Sequence, residues 1–145
     1  TAGLGITHSM AHQLGAMFHI PHGRANAMLL PHIVEFNSNI NKHSRSQKEY
    51  LPAVKRYANS AHILGLSNYN KVMSVRSLVN WIQFMLKEMN IPLTIQEIGT
   101  ITPDAYFAAV DKMAEAALAD ACTPTNPRVP TKEDIIKIYT KLWSF

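Results

Sequence analysis

The chain has 145 residues, enough for one domain with a real core and too few for two comfortable ones. With 47% hydrophobic and 17% charged residues it has an ordinary globular composition, and no apolar run approaches the roughly 18 to 20 residues of a membrane span. The net charge of +4 comes from Lys and Arg spread along the chain; its one mild cluster, Lys42, Arg45 and Lys48, reads as a solvated loop rather than a nucleic-acid footprint.

A single cysteine, Cys122, excludes an intramolecular disulfide and fits a reducing compartment, so the cytoplasm is the expected location. No secretory signal is visible. No neighbour of Cys122 in sequence reads as a base or a cationic activator, and an inert, partly buried thiol is expected. The chain begins Thr1-Ala2-Gly3 without an initiator methionine and reads as a domain of a longer protein.

The pattern is helical almost throughout. Gly3 to Met17 carries Leu4, His8, Ala11, His12 and Gly15 at helical spacing. Pro21-His22-Gly23 interrupts it, since proline biases the residue before it away from the helical region. A second helix is predicted over Arg24 to Asn37, with Ala27, Leu30, Val34 and Phe36 available for burial and a kink or register break at Pro31. Asn37 to Ser46 reads as a polar connection. Gln47 to Leu64 is amphipathic, with Gly65 placed to end it in a left-handed conformation. Val72 to Met89 repeats apolar residues with a period near 3.6. Thr94-Ile95-Gln96-Glu97 has the capping-box pattern and opens a short helix ending near Gly99. Thr102-Pro103-Asp104 starts a helix reaching about Ala119. Pro124, Pro127 and Pro130 make Ala121 to Pro130 a rigid loop. Thr131-Lys132-Glu133-Asp134 caps a final helix to Leu142. With no strand alternation and no internal repeat, the fold class is all-α: an irregular bundle of about seven helices. The methionines, Trp81 and Trp143 lie on apolar helical faces and are read as core.

Four of the seven histidines fall in fifteen positions: His8, His12, His19 and His22. Histidine is the commonest metal ligand and titrates near neutral pH. His8 and His12, four apart, share a helix face, and the break after them lets His22 turn back towards both. Three imidazoles and a carboxylate would suit Zn²⁺ or Fe²⁺. Spacing alone leaves a histidine-rich helix in a polar seam slightly ahead of a metal site, because the first acidic residue is Glu35. There is no G-x-G-x-x-G, phosphate-binding loop or G-x-S-x-G elbow, and Ser9 beside His8 is not a catalytic triad.

Gly3-Leu4-Gly5-Ile6-Thr7-His8-Ser9-Met10-Ala11-His12-Gln13-Leu14-Gly15 followed by Ile20-Pro21-His22-Gly23-Arg24-Ala25-Asn26-Ala27 resembles the histidine-rich signature of the iron-containing (group III) alcohol dehydrogenases. The likeness continues through Leu30-Pro31-His32, Phe36-Asn37, Asp120-Ala121-Cys122-Thr123 and Asn126-Pro127-Arg128. Its flavour is nearest to primary-alcohol dehydrogenases and to the alcohol-dehydrogenase part of bifunctional aldehyde-alcohol dehydrogenases.

The resemblance implies the helical C-terminal domain of a dehydroquinate-synthase-like two-domain enzyme, in which a dinucleotide-binding α/β domain comes first. It implies a catalytic Fe²⁺ or Zn²⁺ in the cleft, held by one aspartate and three histidines, and hydride transfer between a primary alcohol or its aldehyde and NAD or NADP. His8 and His22 match two of the metal ligands. His12 matches a position beside the nicotinamide and substrate, where it would relay a proton or order the cofactor. The remaining aspartate and histidine, and the glycine-rich loop, are expected upstream of Thr1 on about 250 further residues, so the chain alone is expected to be inactive. Expected partners are a small alcohol or aldehyde and the dinucleotide-binding domain, without nucleic acid or membrane; self-association stays open.

His19 is expected to pack around the site, Gly15 to permit close approach of a helix or cofactor, Gly23 to relieve the turn after His22, and Phe18 to form a pocket wall. His32, His43 and His62 are read as structural or solvent-facing. Two other readings stay open: a non-catalytic helical assembly domain, and a self-contained histidine metal-binding bundle.

Overall fold

A computed structural model describes residues 5–45, 50–66 and 69–145. Among them are seven α-helices and one 3₁₀ turn: α1 (Gly5–Phe18), α2 (His22–Ser38), α3 (Pro52–Ile63), α4 (Lys71–Glu88), α5 (Ile95–Ile98), α6 (Pro103–Ala119), the turn Thr123–Thr125, and α7 (Lys132–Trp143). The architecture is the expected irregular all-α bundle. Within the described residues no helix is long and apolar enough to cross a membrane.

Local chemistry sets most boundaries. Asn70, Thr94, Thr102 and Thr131 each accept a backbone N–H of the helix they precede. Thr131 and Asp134 close a full capping box. In α5 the Glu97 carboxylate reaches back to the Leu93 amide instead of the cap residue. Gly65 follows α3 at φ 72°, as expected.

Three boundaries differ from the sequence reading. The break after α1 falls at His19, which takes a left-handed φ of 56°, and not at Pro21-His22-Gly23. Pro21 is the cap residue of α2, so His22 and Gly23 lie in its first turn. Gly23 therefore relieves no turn: a Cβ added there would meet nothing within 4 Å. The third helix starts at Pro52, because proline holds Leu51 extended at ψ 152°; the expected start at Gln47, like Gly3 and Leu4 at the head of the first helix, lies outside the described residues. Pro31 sits buried inside α2, which continues unbroken to Ser38.

Two apolar clusters form the interior. The larger joins α1, the first half of α2, α5, α6 and α7 around Met10, Leu14, Met28, Tyr106, Met113 and Tyr139. The smaller joins the end of α2 to α3 and α4 through Val34, Ile40, Val54, Val75 and Val79. Trp143 packs half-buried on the first cluster and Trp81 on the second. Leu30, Leu64 and Met89, read as core, are exposed; Leu64 and Met89 sit at helix ends, past the last buried turn. Met17 is also exposed, while Met10, Met28 and Met113 fill the core.

The loop from Asp120 to Arg128 bolts α1 to α2. Gly5 opens α1 at φ 67°, where a Cβ would press on Asn126 Oδ1 at 3.0 Å. The Gly5 and Ile6 amides, unpaired inside a helix's first turn, donate to Thr125 Oγ1 and Asn126 Oδ1. Asn126 Nδ2 donates to Asn37 Oδ1 at 2.7 Å and to the Arg128 carbonyl. Arg128 stacks 4.2 Å over the Phe36 ring and donates to the Phe36 carbonyl.

Candidate functional site

The histidines meet where α1 runs past the start of α2. His8 and His12 lie one turn apart on α1, and His22 begins α2. Ring centroids are 5.2 Å apart for His8 and His22, 5.6 Å for His12 and His22, and 6.4 Å for His8 and His12. The His12 and His22 planes are nearly parallel, at 20°, whereas those of His8 and His22 are inclined by 54°. His8 is half-buried; His12 and His22 face solvent. One turn beyond His22, the buried Asn26 Oδ1 has no hydrogen-bond partner among the described residues.

A carboxylate reaches this cluster from the far end of the chain. Asp120 ends α6 and its Oδ2 lies 2.8 Å from His12 Nδ1. Its Oδ1 accepts the Cys122 amide at 2.9 Å. The hydrogen bond to His12, then that from the Cys122 amide, hold the Asp120 carboxyl below the usual carboxylate range. Thr123 Oγ1 donates into the α6 carbonyl at Ala117 and lies 2.8 Å from Ser9 Oγ, pinning this loop to the helix that bears His12.

His12, Asp120 and Cys122 form a group whose ligating atoms all lie within 4.8 Å of one another, close enough that one metal ion could bridge them. That donor group holds one histidine with an aspartate and a cysteine, not the two histidines expected. Asp120 and the proximity of Cys122 escaped the sequence reading because 108 positions separate Asp120 from His12; only the fold joins them. Cys122 does have a base beside it in space, but desolvation and the Asp120 carboxylate push its thiol pKa up, so the half-buried thiol stays poorly activated.

Other expectations resolve differently. His19 is exposed and serves as the left-handed stop of α1 instead of packing around the site. A Cβ on Gly15 would meet the Ile20 carbonyl at an ordinary 3.5 Å, so no helix among the described residues demands glycine there. Phe18 rests on Tyr106, with centroids 5.7 Å apart, as part of the core margin. His43 and His62 are exposed and His32 is half-buried, in line with structural or solvent-facing roles. Lys42 and Arg45 are solvated, and Lys48 lies outside the described residues.

Residues 1–143 match the sequence model of the Fe-containing alcohol dehydrogenase family, C-terminal part. The chain belongs to the Fe-containing alcohol dehydrogenase family. It is 40% identical over 142 residues to the bifunctional aldehyde-alcohol dehydrogenase of Escherichia coli, covering 94% of this chain and 16% of that protein. It is 40% identical over 136 residues to the NADPH-dependent butanol dehydrogenase of Clostridium saccharobutylicum, covering 94% of this chain and 32% of that one. The fold superposes on an alcohol dehydrogenase from Oenococcus oeni with a TM-score of 0.76 and 33% identity, over 97% of this chain and 33% of that structure. The chain thus spans a third or less of the length of these Fe-containing alcohol dehydrogenase relatives.

Proposed function

We propose that this chain is the helical C-terminal domain, residues 1–145, of a metal-dependent, NAD(P)-linked oxidoreductase that interconverts a primary alcohol and its aldehyde. The reading includes a dehydroquinate-synthase-like second domain on the same polypeptide that binds the dinucleotide. The observation that carries it is the convergence of His8, His12 and His22 at one corner of a family member's fold. The Asn26 acceptor one turn past His22, without a partner among the described residues, fits a wall that another segment completes.

His8 and His22 are the proposed metal ligands. Two imidazoles on one tetrahedral ion, with metal–nitrogen bonds of about 2.0–2.1 Å, bring their centroids to roughly 5 Å, and 5.2 Å supports this pair. His12 and His22, at 5.6 Å, and His8 and His12, at 6.4 Å, stand further apart. A divalent cation held there would supply Lewis-acid polarisation of the substrate oxygen, and the hydride chemistry belongs to the nicotinamide. The chain's own residues orient and protonate: His12 stands beside both proposed ligands, where it can hold a proton for the alcohol oxygen or order the cofactor.

The test uses the longest reading frame that contains this sequence, purified with Fe²⁺ or Zn²⁺. His8→Ala and His22→Ala should each lose bound metal and alcohol oxidation together. His12→Ala should lower kcat by about 10² to 10⁴ with metal content unchanged by elemental analysis. Full metal retention by both ligand variants sinks the assignment. A second reading, favoured by the 4.8 Å grouping, makes His12, Asp120 and Cys122 the donors; then Cys122→Ala and Asp120→Ala lose metal while His8→Ala keeps it.

A further inference from the structure

We infer that Asp120 is a positioning residue for His12: its carboxylate fixes the ring with Nδ1 protonated, leaving Nε2 as the nitrogen that meets substrate or cofactor. The inference rests on the proposed oxidoreductase reading for what Nε2 does, but not for the hydrogen bonding itself.

The geometry is built from three directions. Asp120 Oδ2 lies 2.8 Å from His12 Nδ1, and an ionised carboxylate only accepts, so the imidazole nitrogen must be the donor. Asp120 Oδ1 accepts the Cys122 amide, which stops the carboxylate from rotating away. The Asp120 amide bonds to the Ala117 carbonyl as α6 ends, and Thr123 ties the same loop to Ser9 on α1, one turn before His12. Acceptor and ring are thus held by one rigid corner. The same bonds argue against Asp120 as a metal ligand. Each of its oxygens already takes an N–H, and His12 would have to surrender the Nδ1 proton to coordinate through the atom nearest Asp120.

Asp120→Asn makes a sharp test. The Cys122 amide needs an acceptor, so the carboxamide oxygen stays with it and the –NH₂ turns towards His12. Nδ1 must then accept, and the proton moves to Nε2. Long-range ¹H–¹⁵N spectra of this 145-residue chain, metal-free, read the tautomer directly. The expected result is Nδ1–H in the wild type, Nε2–H in Asp120→Asn, and Nδ1–H restored in Asp120→Glu. In the full-length enzyme Asp120→Asn should lower kcat by about 10²- to 10⁴-fold, as for other carboxylate–histidine pairs driven into the wrong tautomer. KM and metal content should stay near wild type, and Asp120→Glu should recover most of the loss.

An unchanged His12 tautomer in Asp120→Asn overturns the inference, as does loss of metal in that variant, which would make Asp120 a ligand. A tautomer switch with unaltered kcat also overturns it, because His12 would then be positioned for nothing. None of these outcomes touches the metal retention of His8→Ala and His22→Ala, which judges the oxidoreductase reading separately.

Discussion

His32 shares α2 with His22 but sits ten residues further along, facing Lys141 of α7. Burial, and then the Lys141 charge, push its pKa down from 6.5 to about 4. The folded protein therefore refuses a proton that the unfolded chain accepts between those values. The stability this contributes is complete above pH 6.5 and is lost as pH falls towards 4, by up to about 3 kcal/mol. Glu35 on the same helix works in the opposite sense: burial raises its pKa, against the pull of Lys141 and Lys42, so its contribution is lost as pH rises. Urea unfolding at pH 7 and pH 4 should show the wild type losing roughly 3 kcal/mol more than His32→Gln. Equal losses would mean that another group carries the acid sensitivity. The same contrast of burial separates His32, a neutral packing group, from the more exposed His12 and His22, which remain open to chemistry.

At the scale of elements, the Asp120–Arg128 loop does more than connect α6 to α7. Asn126 alone accepts the Ile6 amide and donates to Asn37 and to the Arg128 carbonyl. Asn126→Ala should cost about 2–4 kcal/mol, since a buried amide and a buried carboxamide lose their partners together. The loss should appear as a lower thermal midpoint with the helical circular dichroism of the native state kept. A change within a few tenths of a kcal/mol would mean that water or neighbouring groups replace Asn126. Helix ends were legible in sequence where a cap residue or a glycine stands at the boundary, as at Thr94, Thr102, Thr131 and Gly65. The end of α1 was placed at Met17, one residue short of Phe18, but its left-handed stop was not legible, because a histidine, though enriched at positive φ, still takes it in only a small minority of cases.

For the molecule as a whole, the two interiors differ in size. Among the described residues, twenty buried ones form the cluster around Tyr106 and Tyr139, and eight form the one that joins the end of α2 to α3 and α4. Less apolar burial means a smaller free energy of local opening. Hydrogen exchange followed by mass spectrometry should therefore protect α6 and α7 longer than α3, whose buried face is only Ala53, Val54 and Ala61. Uniform protection across the chain would show one cooperative unit. The ordering matters for the site, because His8, His12 and Asp120 all stand on the larger core.

The sequence by itself determined the helical class, nearly every helix and the clustering of histidines near the start of the chain. Periodicity and capping are local properties, and the run from His8 to His22 is dense enough to show in one dimension. It also carried the family likeness, since the motifs are contiguous. Tertiary structure alone decided which imidazoles face each other, that the break falls at His19, and that Asp120 and Cys122 reach His12. The approach of Asp120 and Cys122 to His12 joins residues more than a hundred positions apart, and no local pattern encodes a pairing whose geometry is set by α6 crossing α1.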